Sequence, residues 1–248
     1  EDYRKEVTVA IDPETARDRD DALSMYRDKR SGHRVVLVHI ADVSHFVRPA
    51  SALDEEARRR GQSVYLVRSF VPMLPREPTQ QALSLSEEAD RLAKTVRLEY
   101  DDDAELVDFS IHHSVVRLDA EMTYAEVKEL LDVADGEEAA APRGVPSDTF
   151  GAGLGLEEQD ARALAKWPDE IWDLVTGLDA LARQLRKRRA QVGSVDLDVP
   201  EYDVRVDDEG RVTAVSQIER DRSHDLVEEF MLGANVAVAR FLRDHKLP

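Results

Sequence analysis

The sequence predicts a mixed α/β fold (α/β or α+β), on three observations. Segments with a hydrophobic period of two are interspersed with segments of helical period, β-branched residues concentrate in the former, and no internal repeat is visible. Val7, Val9 and Ile11 alternate with Thr8 and Ala10, which predicts a strand over residues 6–11 running straight into Asp12-Pro13. Residues 34–43 are largely apolar and rich in valine and isoleucine, as expected of a buried central strand. Leu53–Arg60 reads as a short helix. Residues 94–100 and 106–116 read as a hairpin around Asp101-Asp102-Asp103.

Thr123 and Glu126 have the spacing of a capping box, and Val127, Leu130 and Leu131 supply the apolar face of the helix it opens. Residues 133–156, rich in Ala, Gly, Pro and Glu, are expected to form a flexible loop. Residues 157–192 are helical in pattern, with Pro168 placed to begin a second helix. Asp203–Ile218 predicts a hairpin around Asp208-Glu209-Gly210. Ser223 is expected to cap a last helix whose face carries Leu226, Phe230, Ala234, Val238 and Phe241.

Composition bounds the function. With 248 residues, 42% hydrophobic and 35% charged, the chain can bury a sizeable core, and no apolar run approaches the roughly 18 residues of a membrane span. The absence of cysteine removes disulfide and thiolate-metal frameworks. Together with an N-terminus unlike a signal peptide, this fits a cytoplasmic protein. The net charge of −18 has the wrong sign for gripping nucleic acid, so any such role needs local basic patches, bound cations or other domains. Arg58-Arg59-Arg60 and the run Arg183–Arg189 are candidates for phosphate contacts, against the commoner alternative of a solvated helix face.

The most informative stretch is Ile11–Ala22, in which Asp12, Asp18, Asp20 and Asp21 fall within ten residues just beyond a strand. The plain alternative is a solvated acidic loop. Against it, the strand before the loop is apolar, and Ala22-Leu23-Ser24-Met25 returns at once to apolar character, drawing Asp20 and Asp21 inward. Carboxylates held together repel unless protonated or neutralised, and hard dications with oxygen ligands are the natural partners. An EF-hand fails on spacing: counted from Asp18, its glycine position is Leu23 and its final glutamate position is Lys29.

Asp12-Pro-x-x-x-x-Asp18-x-Asp20-Asp21 resembles the signature of the RNB catalytic domain, the core of ribonuclease II and ribonuclease R. Further blocks follow in order: His39-Ile-Ala-Asp-Val-Ser-His45, Gly61-Gln-Ser-Val-Tyr65-Leu, Val71-Pro-Met-Leu-Pro75, Asp90-Arg91-Leu-Ala, Asp196-Leu-Asp-Val-Pro-Glu201 and His224-Asp-Leu-Val-Glu228-Glu229-Phe-Met-Leu-Gly-Ala-Asn235. The resemblance implies one RNB catalytic domain over residues 1–248, with a mixed sheet flanked by helices. It also implies processive 3′→5′ hydrolysis of single-stranded RNA to nucleoside 5′-monophosphates with two magnesium ions, manganese being a possible substitute. By motif position, Asp12, Asp18 and Asp21 resemble metal ligands. Asp20 resembles the aspartate credited with cleavage, holding the second metal or orienting the attacking water. Tyr65 resembles an aromatic closing the RNA channel, and Tyr124 one that packs the terminal nucleotide. Glu228 or Glu229 is expected to hold the terminal ribose, the choice between them left open, and His39 and His45 are support.

The sequence departs from the family pattern at three places. Leu197 stands where the family usually has a base-stacking aromatic, and Pro78–Leu85 keeps only the second half of its block. The chain also stops before a family block with two arginines and a tyrosine, so it reads as truncated at its C-terminal end. Flanking cold-shock and S1 domains, small RNA-gripping barrels of OB type, are expected in the full-length protein but not in this chain. The competing readings are a catalytically silent RNB-like binder of RNA or a partner, an unrelated acidic metal-binding module, and action on DNA.

Overall fold

A computed structural model of the chain describes residues 1–16, 18–66, 69–75, 82–137, 166–195, 199–207, 209–218 and 220–247. Among these residues the strands β1 (Thr8–Asp12), β2 (Asp21–Arg27), β3 (Arg34–Ala41), β6 (Arg91–Tyr100), β7 (Leu106–Val116) and β8 (Ala120–Thr123) form one sheet in the order β7-β6-β3-β2-β1-β8. Every neighbouring pair is antiparallel except β1–β8, which is parallel. Two short hairpins stand outside that sheet, β4 (Val64–Leu66) with β5 (Ser69–Val71) and β9 (Glu201–Val206) with β10 (Val212–Ile218). The helices are α1 (Val43–Phe46), α2 (Ala52–Arg60), α3 (Tyr124–Glu137), α4 (Asp169–Gln191) and α5 (Arg222–Asp244).

Strand alternation gives the sheet two different faces. On one, Val9, Ile11, Leu23, Val36, Val38, Val96 and Leu98 meet α3, α4 and α5. α4 presents Ile171, Leu174, Val175, Leu178 and Leu181, and α5 presents Leu226, Phe230, Ala234 and Ala237, each at helical spacing. α5 lies so close to β6 that a Cβ at Gly233 would stand 2.8 Å from the Tyr100 hydroxyl. A side chain there would force the Tyr100 hydroxyl to shift.

The other face is lined with small side chains, Ala10, Ala22, Ala41 and Ala93, which let Leu85 approach the strands. Beside them a buried polar chain crosses five strands. Thr8 Oγ1 donates to Glu6 O at 2.9 Å, Thr8 and Ser24 hydroxyls are 2.8 Å apart, and Ser24 Oγ lies 3.0 Å from His39 Nε2. On the far side His39 Nδ1 is 2.7 Å from Thr95 Oγ1, which is 2.6 Å from Ser114 Oγ, itself 3.2 Å from Ala93 O. Each hydroxyl has a single proton, so all six contacts can be hydrogen bonds only if both ring nitrogens donate. Burial instead holds His39 neutral, its pKa pushed down to about 3. One bond must therefore be given up, and the longest, Ser114 to Ala93 O, is the weakest. The resulting tautomer donates from Nε2 to Ser24 and accepts at Nδ1 from Thr95.

Several expectations need correction. Asp21–Arg27 is a full strand rather than merely an apolar return from the loop. Residues 133–137 continue α3 instead of opening a loop; the expected loop otherwise lies outside the described residues, as do Leu197 and residues 78–81. The last helix is capped by Asp221, whose carboxylate accepts from Ser223 N at 3.0 Å, so Ser223 sits inside the first turn. The Thr123–Glu126 capping box is present, with Thr123 N donating to Glu126 at 2.7 Å and Glu126 N to Thr123 Oγ1 at 3.2 Å. Pro168 immediately precedes α4, as its ring geometry favours.

Candidate metal and nucleic-acid site

The parallel β1–β8 pair fixes the site. Asp12 ends β1 and pairs in register with Thr123, the residue before α3. Asp21 begins β2, which returns antiparallel beside β1. Asp12, Asp21 and Tyr124 thus gather at the carboxyl end of β1 and β8.

The loop between Asp12 and Asp21 is pinned by backbone contacts. Ala41 N donates to Asp20 O at 2.9 Å, Leu85 N to Arg19 O at 2.9 Å, and Arg19 N to Ser84 Oγ at 2.9 Å. Arg91 Nε in turn donates to Ser84 O at 2.8 Å. The Ser84–Leu85 segment reaches the loop because the alanines beneath it are small.

The aspartates stand in mutual repulsion. Burial, then the Asp21 charge, pushes the Asp12 carboxyl up to about 6, although Arg19 pulls the other way. Burial, then Asp20, pushes Asp21 up to about 6, and burial with Asp18 raises Asp20. Among the described residues, none of the four side chains makes an ion pair, and Asp18 Oδ1 is buried without a hydrogen-bond partner. No three Asp, Glu or His side chains converge there into a closed ligand cage. The carboxylates share a neighbourhood without sharing a point. An orphaned buried carboxylate oxygen and two carboxyls with raised pKa are a donor set that fits a hard, oxygen-seeking dication.

Tyr124 flanks the cluster. Burial, then the charges of Asp21 and Asp12, pushes its hydroxyl up to about 12. Its ring stacks on His224 with centroids 4.0 Å apart and planes at 10°, and His224 Nδ1 lies 3.1 Å from the capping Asp221. In the sequence His224 is only one position of a motif; its place as the ring beneath Tyr124 comes from the packing of α3 against α5.

Glu228 and Glu229 separate cleanly. Glu229 is 5% exposed and accepts from Arg189 Nη2 at 2.6 Å and Nε at 3.1 Å, which makes it a buried bolt between α4 and α5. Glu228 is more open and pairs with Arg220, which also acts on Tyr124.

Tyr65 belongs to another part of the fold, the β4–β5 hairpin, where it is 78% exposed and stacks on its cross-strand partner Phe70 at 4.6 Å. Phe70 was missed because a lone phenylalanine carries no signal until the hairpin register pairs it. His45 lies in α1, its ring edge-on to Phe46 at 5.0 Å.

The basic run on α4 is engaged with the protein's own acids. Arg183 meets Asp179 at 2.7 Å, Arg186 meets Asp225, Arg188 meets Glu105 at 2.8 Å, and Arg189 meets Glu229. On α2, Arg58, Arg59 and Arg60 pair with Asp54 and Glu56 one turn away.

A mixed α/β domain with a carboxylate cluster at the end of the parallel β1–β8 pair is the class these features define. The sequence profile described as the RNB domain matches residues 1–248, and the chain belongs to that family. It is 34% identical over 248 residues to Ribonuclease R of Thermotoga maritima, covering 100% of this chain and 31% of the relative. It is 34% identical over 245 residues to human Exosome complex exonuclease RRP44, covering 98% and 22%. Among solved structures, Mycoplasma genitalium RNase R in complex with double-stranded RNA superposes with a TM-score of 0.82 at 22% identity, covering all of this chain and 39% of that one. Yeast Ssd1, described as a pseudonuclease, superposes at 0.59 with 16% identity, covering 92% and 24%. The chain thus spans about a third or less of the curated relatives' length.

Proposed function

We propose that this domain is a metal-dependent 3′→5′ exoribonuclease that hydrolyses single-stranded RNA processively to nucleoside 5′-monophosphates. The observation that carries it is the pinned loop of four unpaired aspartates, one oxygen orphaned, beside an aromatic stack. Asp12, Asp18 and Asp21 are the residues that would hold magnesium, or manganese in its place, with Asp20 holding a second ion or orienting the attacking water. Bound dications would lower the pKa of that water and offset the charge growing on the leaving 3′ oxygen. Tyr124, backed by His224, would pack against the terminal nucleotide. Glu228, the more open of the two glutamates, would accept from the terminal ribose hydroxyls in exchange for part of its pairing with Arg220. Tyr65 and Phe70 offer a second, sequence-tolerant stacking surface for an upstream base.

In a full-length protein, cold-shock and S1 domains of OB type would supply the positive charge that this chain lacks, and the setting is the cytoplasm. A second reading, a silent RNB-like binder, draws support from the fold being shared with a pseudonuclease. A 5′-labelled single-stranded RNA incubated with magnesium or EDTA separates the two. A ladder shortening from the 3′ end and suppressed by EDTA is expected; RNA held but intact in magnesium would replace the nuclease reading with the binder.

A further inference from the structure

We infer that Arg19 is a built-in counter-cation of the acidic loop that sets how tightly the aspartates hold a divalent metal. The inference rests on the metal-site reading above and deepens it.

Arg19 is the one cation in the described run Asp18–Asp21, and the fold fixes where it points. Its amide and carbonyl are both taken, by Ser84 Oγ and Leu85 N, so the backbone cannot turn to carry the side chain elsewhere. Its guanidinium is held by Glu121 on β8 at 2.7 Å, with both side chains only about a quarter exposed, at 26% and 28%. The β1–β8 register pairs Ala10 with Glu121 and Asp12 with Thr123. Because strand side chains alternate, Glu121 and Asp12 project from the same face of neighbouring strands. An arginine clamped on Glu121 therefore stands beside Asp12, and its charge acts on that carboxylate. Arginine stays protonated at any physiological pH, so this positive charge is permanent.

Two consequences follow from Coulomb's law. Arg19 offsets part of the repulsion among the aspartates before any dication arrives, which helps keep the loop closed. It also repels an arriving dication, weakening its binding. The site is thereby tuned toward exchangeable metal, with Glu121 holding the arginine one strand away from the ligands.

The test titrates Mn2+ and Mg2+ into the RNA-free protein and reads the half-saturation concentration by calorimetry and thermal shift. Arg19→Met, which keeps the backbone contacts, is expected to bind about five-fold more tightly, since the repulsion is gone and Glu121 is left unopposed. Arg19→Lys keeps the charge and is expected within about two-fold of wild type. Glu121→Gln is expected to bind about three-fold more weakly, because it removes a negative charge and frees Arg19 to move onto Asp12. Arg19→Met binding unchanged or more weakly, while wild type saturates, would overturn the inference and leave the metal site standing. Wild type showing no saturable binding would overturn the metal site itself and the inference with it.

Discussion

Two charge-dense stretches meet opposite fates in this molecule. The run Arg183–Arg189 on α4 looks in sequence like a surface for phosphates, yet Arg183, Arg186, Arg188 and Arg189 each close on an acid from another part of the fold or the preceding helical turn. The loop Asp12–Asp21 looks like an ordinary acidic turn, yet its backbone is pinned and its aspartates are unpaired, with Asp12, Asp18 and Asp21 half-buried and Asp20, contrary to its expected inward turn, exposed. Compensated charge builds the fold. Uncompensated charge is held at a cost of stability, which a bound cation would relieve.

The comparison can be broken most strongly at Asp20. On the proposed function, Asp20→Asn should lower RNA turnover by about 10³-fold while RNA affinity changes little, since the carboxylate would act on the reacting water and metal more than on the polymer. A gel-shift beside a turnover assay checks this. On the compensated side, Arg189→Ala leaves Glu229 buried without its cation and should cost about 2–3 kcal/mol of stability, seen as a lowered urea midpoint. Arg188→Ala, whose partner Glu105 is exposed, should cost less than about 1 kcal/mol.

Smaller effects sharpen the contrast. Asp21→Asn should stabilise the metal-free protein by about 1–2 kcal/mol, because the carboxyl raised to about 6 is uncomfortable when ionised and only partly screened by solvent. A higher Tm in EDTA checks it, and loss of that gain on adding magnesium would follow. The sign for His39 is opposite to that for the aspartates. A histidine depressed to about 3 in the folded state contributes stability that is complete above the unfolded value near 6.5 and lost as pH falls toward 3. His39 is faced by Ser24, Thr95 and the ring of Tyr3 at 5.7 Å, with Tyr3 the titratable neighbour and neutral throughout this range. His39→Gln should therefore gain on wild type by about 1 kcal/mol per pH unit between pH 6.5 and 5, by denaturant titration. Taking the difference cancels the contribution of Asp12 and Asp21, which runs the other way as they protonate.

Much of this architecture was legible where burial imposes a clean period. β1, β3, the β6–β7 hairpin, α3 with its capping box and α5 all follow from alternation or helical spacing. β2 was hidden because its first residue is a site aspartate and its Ala22 and Ser24 face the tight side of the sheet, so only Leu23 and Met25 read as apolar. β4, β5 and β8 are three or four residues long, too short to show a period.

The four aspartates and Tyr124 stand at one end of the sheet, whereas adjacent Glu228 and Glu229 could not be told apart in sequence. Successive helical residues point about 100° apart, and only the position of Arg189 on α4 shows which of them is spent on packing. Arg19 and His224 were invisible for the same reason, each acquiring its role from a residue distant in sequence, whereas Phe70 needed the register of its own short hairpin.

The most direct test compares turnover per folded molecule in magnesium for Asp20→Asn and for Arg183→Ala and Arg188→Ala. Asp20→Asn is expected to be folded and inactive, whereas both arginine variants retain wild-type turnover in the fraction that remains folded. An active Asp20→Asn, or arginine variants that are fully folded and inactive, would show that the chemistry lies with the basic run and contradict the account.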